Sequence, residues 1–228
     1  MKLSFIIPVL NEASNIQKIL LPLLYYREQG HEVILVDGGS TDNTIDRAEN
    51  MVDKVIRTQK GRSTQMNAGA QKANGDVFVF LHADTWLPDQ AAEIITHAMN
   101  KSPKVWGRFD IKFTGSHWIY RIISTMMNFR SALSGIATGD QCIFVQQSVF
   151  EKIGGYADIP LMEDVNISKQ LKAFSRPVRV KFPAVTSSRR WEQNGVLRTI
   201  LLMWYLRASY FFGVSASKLV GKYYRQAG

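Results

Sequence analysis

Four acidic residues sit where a carboxylate can do chemistry: Asp37, Asp84 and the adjacent pair Glu163 and Asp164, each at the end of a strand-like run or in a loop. Asp84 has the clearest setting. Val77, Phe78, Val79, Phe80 and Leu81 are apolar without alternation, which suits a strand covered on both faces in a parallel sheet. The run leads straight into His82, Ala83, Asp84 and Thr85. Open parallel sheets bind ligands beyond the carboxyl ends of their strands. Asp84 therefore reads as a carboxylate at a site mouth, holding a divalent cation; its other reading is a turn cap ahead of Pro88. Asp37, in Asp37-Gly38-Gly39-Ser40, lies in a loop whose glycines let a ligand approach the backbone closely. An acid in a loop is most often simply solvated, but neighbouring strand ends in an α/β sheet lie side by side, so Asp37 and Asp84 can face one crevice. Two carboxylates beside a diphosphate would repel it. A hard cation shared between protein carboxylates and phosphate oxygens removes that conflict. His82 either joins as a ligand or packs; coming directly off an apolar strand, it reads first as a packed residue.

The elements that must hold these residues alternate. Leu3–Val9 is a buried strand, and Ser14-Asn15-Ile16-Gln17 has the spacing of a capping box. It opens a helix to about residue 29, interrupted or kinked by Pro22. Residues 33–36 form a second strand, 43–50 a helix and Lys54–Arg57 a third strand. Ser63 can cap the next helix. Pro88 suits the first position of a helix ending near residue 100. Strand and helix thus alternate through residue 100, the pattern of a doubly wound sheet. Beyond it, residues 105–113 read as a longer strand, antiparallel by preference, and 119–133 as a helix. Residues 141–146 read as a strand, 148–153 and 163–174 as helices, and 178–182 as the last strand.

The 228 residues suffice for one α/β domain with an elaborated tail. A net charge of +9 points to an anionic partner without choosing among phosphate ligand, nucleic acid and membrane. Its positive residues are scattered and carry no recognised nucleic-acid motif. The single cysteine, Cys142 in an apolar run, excludes an internal disulfide framework and suits a reducing, cytoplasmic setting. No secretory signal is expected at the N-terminus, and no stretch reaches the roughly 20 apolar residues of a spanning helix. A Gly-x-Gly-x-x-Gly run after the first strand is absent, which argues against a dinucleotide oxidoreductase. Pro8-Val9-Leu10-Asn11 is unlike the glycine-rich phosphate loop of a nucleotidyltransferase.

Taken in order, several stretches form one pattern. They are Phe5-Ile6-Ile7-Pro8-Val9-Leu10-Asn11-Glu12, Val36-Asp37-Gly38-Gly39-Ser40-Thr41-Asp42-Asn43-Thr44, Lys60-Gly61-Arg62 with Asn67-Ala68-Gly69, and Leu81-His82-Ala83-Asp84. Gly154-Gly155-Tyr156, Glu163-Asp164 and Arg189-Arg190-Trp191 follow. Over roughly residues 1–195 this resembles the family 2 glycosyltransferases. The resemblance implies an α/β fold of GT-A type, with a Rossmann-like, mostly parallel central sheet flanked by helices. It implies one catalytic domain over residues 1–193, divided into a nucleotide-binding half (1–100) and an acceptor half (101–193), and a helical tail over 194–228. The implied activity is transfer of a hexose or related sugar from a nucleotide-diphosphate donor to an acceptor hydroxyl, with inversion, in making cell-envelope polysaccharide or glycolipid.

Carried over by position, Pro8, Glu12 and Asp37 line the nucleotide pocket, Asp37 accepting from the base, with Gly38, Asn67 and Ala83 as further donor contacts. Arg62 lies by the nucleotide or its phosphates. Asp84 matches the last acid of the Asp-x-Asp signature, which binds Mg²⁺ or Mn²⁺. Asp164 matches the catalytic base; Glu163 orients the acceptor or simply opens a helix. Arg189, Arg190 and Trp191 contact acceptor or diphosphate. Two departures are plain. His82 replaces the first acid of Asp-x-Asp, leaving fewer protein oxygens for the cation. Of the Gln-x-x-Arg-Trp motif of processive members only Arg190-Trp191 survives, which argues against a polymer synthase. With the first acid missing, the alternative to an enzyme is a weakly active or inactive nucleotide-binding scaffold at a membrane.

In the tail, Asn194 is placed to cap a helix over residues 196–212, rich in Leu, Trp, Tyr and Phe. Lys218, Lys222 and Arg225 follow. Arg198 and Arg207 fall on opposite faces at helical spacing. Such a helix can pack on the catalytic domain or on a second copy in a homodimer, or rest on an anionic membrane surface at the inner face of the cell membrane. The basic tail tilts the reading toward membrane, and the resemblance implies the same, since members of the family often use lipid-linked acceptor alcohols.

Overall fold

The computed structural model describes residues 1–225, with side chains through Tyr223. The Arg225 side chain and residues 226–228 of the tail lie outside the described residues. The nucleotide half runs β1 (Leu3–Val9), α1 (Ile16–Glu28), β2 (Glu32–Asp37), α2 (Thr44–Ala48), β3 (Lys54–Arg57), α3 (Arg62–Lys72), β4 (Val77–Phe80), β5 (Thr85–Trp86) and α4 (Ala91–Asn100). The second half adds β6 (Trp106–Phe113), α5 (Trp118–Ser134), β7 (Phe144–Gln146), α6 (Gln147–Lys152), α7 (Glu163–Leu171), β8 (Val178–Thr186), α8 (Arg189–Asn194), α9 (Val196–Phe211) and α10 (Ala216–Arg225).

One sheet in the order β3-β2-β1-β4-β7-β6-β8-β5 joins both halves. β1 to β4 are mutually parallel, and β6 runs parallel to β8; only β7 and β5 pair antiparallel to their neighbours. The unbroken apolar strands have two partners each. Phe5, Ile7, Leu35, Val77 and Val79 face a core built with α1 and α4, whereas Ile6, Ile34, Phe78 and Phe80 face one built with α3, α6 and α7. Alternate side chains of a strand point to opposite faces, so a strand covered twice shows no polar alternation.

Several boundaries differ from the sequence expectation. The capping box does not form: Asn15 occupies the N-cap of α1 without a side-chain cap. Pro22 lies on the exposed face and α1 continues through it. Ser63 is buried within α3, which starts one residue earlier after Gly61. Pro88 does not open α4, because its carbonyl is held by the Tyr26 hydroxyl (3.3 Å), which also accepts from the Ala91 amide (3.0 Å). The backbone turns at Gln90 with φ 59° before the helix begins. Residues 141–146 are strand only over β7, preceded by a 3-10 turn, Gly139–Gln141. β8 runs four residues further than expected, and its end pairs with Thr85 and Trp86.

The tail helix spans the expected residues, but Gly195 occupies its N-cap, and Asn194 ends α8 instead. Leu206, Leu219 and Tyr223 pack on Leu161 and Met162, and Val196 and Ile200 pack on Ile111, Phe113, Tyr120 and Ile123. One face of the tail is thus part of the protein core, while Leu197, Leu201, Trp204 and Phe211 stay exposed. No helix among the described residues is long and apolar enough to cross a membrane.

Candidate functional site

The parallel strands end toward one edge, β1 and β2 at Val9 beside Asp37 and β4 earlier, with Phe80 beside Ile6. Past this edge lies a cavity of about 490 Å³ whose lining includes Arg62, His82, Asp84, Arg130, Asp140, Glu163, Asp164, Arg190 and Trp191. Asp84 and Asp164, 80 positions apart in the chain, share it. Asp84 is positioned by a seam rather than by β4 alone: its carbonyl accepts from the Ser187 amide (3.0 Å), and the Thr85 hydroxyl bonds that of Thr186 (3.2 Å). The same seam leads β8 into α8 and brings Arg190 and Trp191 to the cavity. It is not the turn cap that was the alternative reading of Asp84.

His82 is packed, as its place after an apolar strand predicts, and it also stands beside two carboxylates. It is buried, and a methyl group at position 139 would overlap its imidazole, so only glycine fits there. Its Nδ1 also stands 3.6 Å from Asp140 Oδ1. One ligand atom each from His82, Asp84 and Asp140 lie within 4.8 Å of one another. Asp140 therefore supplies in space a carboxylate that His82 withholds in sequence. Its side chain keeps 41% of its surface open to the cavity. Burial works to raise the Asp140 pKa, but His82, Arg62 and Arg190 outweigh it and hold the carboxyl below the usual range.

Asp164 and Glu163 open α7 behind Met162, which takes φ 66°, an uncommon backbone for a bulky side chain. Asp164 accepts from the amides of Gly139 (3.1 Å) and Val165 (2.7 Å). These bonds favour the carboxylate, yet burial and the neighbouring Glu163 push its pKa up to about 6. Glu163 faces Arg62 at 4.0 Å. Around half-exposed Arg62, burial lowers the guanidinium pKa and the field of Tyr223, Glu163, Asp140 and Asp84 more than reverses it. Arg190 bonds the Tyr223 hydroxyl and lies over its ring at 4.1 Å. Trp191 meets Phe113 edge-on at 5.6 Å.

Other sequence candidates lie apart from this lining. Pro8 is buried in β1. The Asp37 carboxylate is almost wholly buried and accepts from the amides of Gly39 (3.0 Å) and Ser40 (3.0 Å), while the Gly38 amide donates to Val9 O (2.9 Å). Glu12 stands 3.8 Å from Arg189, so α8 sends Arg189 toward the first loop and Arg190 into the cavity. Two residues expected at the donor are engaged in packing. Ala83 belongs to the core, and Asn67 spends its side-chain amide on the Tyr156 backbone, donating at 2.8 Å and accepting at 2.9 Å.

In sequence Asp140 is, with Trp118 and Tyr120, a candidate for choosing the acceptor but not a metal ligand, and Arg130 has no role. Gly139-Asp140 precedes an apolar run much as many loop acids do, and Arg130 sits in a helix with no acidic partner; neither spacing points to the cavity. In the structure Arg130 Nε and Nη2 are buried without a hydrogen-bond partner among the described residues. Burial lowers its pKa, partly offset by Asp164.

The sequence profile of Glycosyl transferase family 2 matches residues 4–154. A probable glycosyltransferase of Bacillus subtilis, YdaM, is 29% identical over 218 residues, covering 85% of this chain and 51% of its own length. Among solved structures, the mannosyltransferase PcManGT of Pyrobaculum calidifontis, in complex with GDP-Man and Mn²⁺, superposes with a TM-score of 0.64 at 19% identity, over 91% of this chain and 61% of that one. TarS of S. aureus in complex with UDP superposes with a TM-score of 0.65 at 16% identity, over 82% and 60%. The chain thus spans about half the length of its Bacillus relative. The structural likenesses show a shared fold, that of the GT-A glycosyltransferases.

The electrostatics of Asp164 can be read directly. Carboxyl ¹³C NMR of the free chain is expected to show Asp164 titrating near pH 6. Glu163→Gln should move that midpoint down, since it removes a like charge. A wild-type midpoint near the ordinary Asp value of about 3.9 would mean that water solvates this carboxyl far better than the packing around it indicates.

Proposed function

Since the chain belongs to glycosyl transferase family 2, we propose that it transfers a sugar, a hexose or a relative, from a nucleotide-diphosphate donor to an acceptor hydroxyl with inversion. One observation carries this reading: Asp84 and Asp164 line the same cavity. In a single displacement the acceptor oxygen bonds the anomeric carbon, the bond to the diphosphate breaks, and the leaving group takes the electron pair. Asp164 accepts the hydroxyl proton. A carboxyl titrating near 6 is a better match to that task at neutral pH than an ordinary aspartate. Arg62 and Arg190, both in the lining, share the charge that grows on the leaving diphosphate.

His82, Asp84 and Asp140 fit a divalent cation, offering two carboxylates and an imidazole within reach of one point. Mixed nitrogen and oxygen donors favour Mn²⁺ over Mg²⁺, which prefers oxygen and retained water. Bound there, the ion would act as a Lewis acid toward the leaving diphosphate. With Asp140 in place, the missing first acid is no longer a reason to prefer an inactive scaffold.

Asp164→Asn should keep donor binding and lower transfer by roughly 100-fold or more. The wild-type rate should fall as pH drops through about 6, where the base becomes protonated. Near wild-type transfer by Asp164→Asn would remove it as the base. For the cation, calorimetry with a donor diphosphate should show Mn²⁺-dependent affinity falling at least about tenfold in both Asp84→Ala and Asp140→Asn. A loss in the first alone would take Asp140 out of the ligand set.

The proposal extends to a peripheral station at the inner face of the cell membrane. No acidic residue follows Glu192, and exposed Arg198 and Lys218 flank the apolar face of α9 and α10. Truncating the tail would uncover its packed face, so charge reversal is the cleaner probe. The full chain should float with phosphatidylglycerol vesicles, and Arg198→Glu with Lys218→Glu should abolish flotation. Equal flotation of both proteins would count against membrane contact.

A further inference from the structure

Helix α5 borders two cavities. Arg130 lines the one that holds the carboxylates, and the next residue, Ser131, lines another of about 490 Å³. Arg108 and Arg179, near the starts of β6 and β8, belong to the second, whereas Phe113 and Thr186, at the far ends of the same strands, belong to the first. From residue 108 to residue 113 a strand rises roughly 17 Å, so the two spaces open at opposite ends of this strand pair.

The second cavity is cationic. Lys104, Arg108, Arg176 and Arg179 line it, and the acid that pairs with two of them is Asp110. In the parallel register Arg108 stands beside Arg179, a placement that like charges oppose. Asp110 accepts from both, taking the Arg179 fork at 3.0 Å and 2.8 Å. A single carboxylate can offset one of those two charges. Lys104 and Arg176 donate to the carbonyls of Pro177 (3.3 Å), Ala132 (3.1 Å) and Leu133 (2.7 Å), which carry no net charge. Burial, joined by the field of Arg179, lowers the Arg108 pKa despite Asp110.

The lining also holds unused donors. Arg108 and Ser131 are fully buried, yet Arg108 Nε and Ser131 Oγ have no hydrogen-bond partner among the described residues. Buried polar atoms left in this way cost stability until a ligand satisfies them. Both can donate, so both suit an oxyanion. Four cations against one carboxylate favour a multiply charged phosphate over another carboxylate, and guanidinium forks match its oxygens.

We propose that this cavity is a second binding site, for a phosphate group, separate from the one that holds Asp84 and Asp164. Exposed Arg176 and Arg179 meet the phosphate with Lys104, and Arg108 and Ser131 donate from beneath. The site stands or falls independently of the transfer reading, because it shares no lining residue with the first cavity.

The test uses the full chain, without divalent cations and at about 0.1 M salt. Calorimetry should show binding of glycerol 3-phosphate and none of glycerol. Lys104→Gln with Arg176→Gln should weaken it at least about tenfold. Arg62→Gln with Arg190→Gln, which strips cations from the first cavity, should leave it unchanged. Ser131→Ala gives a second readout, since it deletes a hydroxyl that has no partner to lose. The thermal transition of the free Ser131→Ala chain should stay in place or rise, while the upward shift that glycerol 3-phosphate gives the wild type should shrink. Phosphatidic acid vesicles offer the same group at a lipid surface, tested in the Arg198→Glu, Lys218→Glu background so that the tail takes no part. Binding of glycerol 3-phosphate assigns a soluble ligand. Flotation with these vesicles alone, lost on adding Lys104→Gln and Arg176→Gln, assigns a lipid headgroup. No binding in either form overturns the proposal. So does weakening by the Arg62 and Arg190 pair as large as by the Lys104 and Arg176 pair, because the phosphate would then sit in the first cavity.

Discussion

The short pairing of Thr85 and Trp86 with Val185 and Thr186 holds the site together. It is only two residues long, yet it closes the sheet's far edge against the loop that leaves β4. β6 already holds β8 and the start of α8 to the sheet; the short pairing adds the link that ties the Asp84 loop to them. The Ser187 amide on the Asp84 carbonyl and the hydroxyl pair of Thr85 and Thr186 fasten the two chain segments by backbone and buried side chain together. Beyond that closure, α8 lies beside the first loop, Val196 and Ile200 of α9 pack on Tyr120 and Ile123 of α5, and α10 packs onto Leu161 and Met162.

Charge is distributed inside the cavity with near balance. Arg62, Arg130, Arg190 and Arg207 face Asp84, Asp140, Glu163 and Asp164 across the same space. Balance does not mean that each group is satisfied. Burial first and then Glu163 raise the carboxyl of Asp164, while His82 and Arg62 outweigh burial and lower that of Asp140. Two acids a short way apart are thus pushed in opposite directions, one toward taking a proton and one toward staying charged beside a cation. Acid and base roles separate in this way when environment, not residue type, sets the pKa.

Much of the frame was legible from residue type alone. Strands β1, β2 and β4 are mainly apolar runs, β3 (Lys54–Arg57) is an edge strand with charged ends, and the helices between them carry periodic apolar positions, so the parallel half could be read in order. Boundaries set by side chains from afar could not be read. Pro88 looks like a helix start until Tyr26, 62 positions earlier, claims its carbonyl. β8 reads as a short strand until Thr85 offers its end a partner. Asn67 and Ala83 match a family pattern, but one clamps the Tyr156 turn and the other fills the core.

By itself, the sequence determined the alternation that makes a parallel α/β sheet, the placement of Asp37 and Asp84 at strand ends, and the Glu163-Asp164 pair opening a helix. These depend on local periodicity and on the chemistry of adjacent residues, which a linear chain displays. Only the tertiary structure decided that Asp140 joins His82 and Asp84, that Arg130 ends with nitrogens lacking a partner among the described residues, and that Lys104, Arg108, Arg176 and Arg179 line one cavity. Those outcomes depend on distances between residues far apart in the chain, and such distances exist only after the two halves of the sheet have joined.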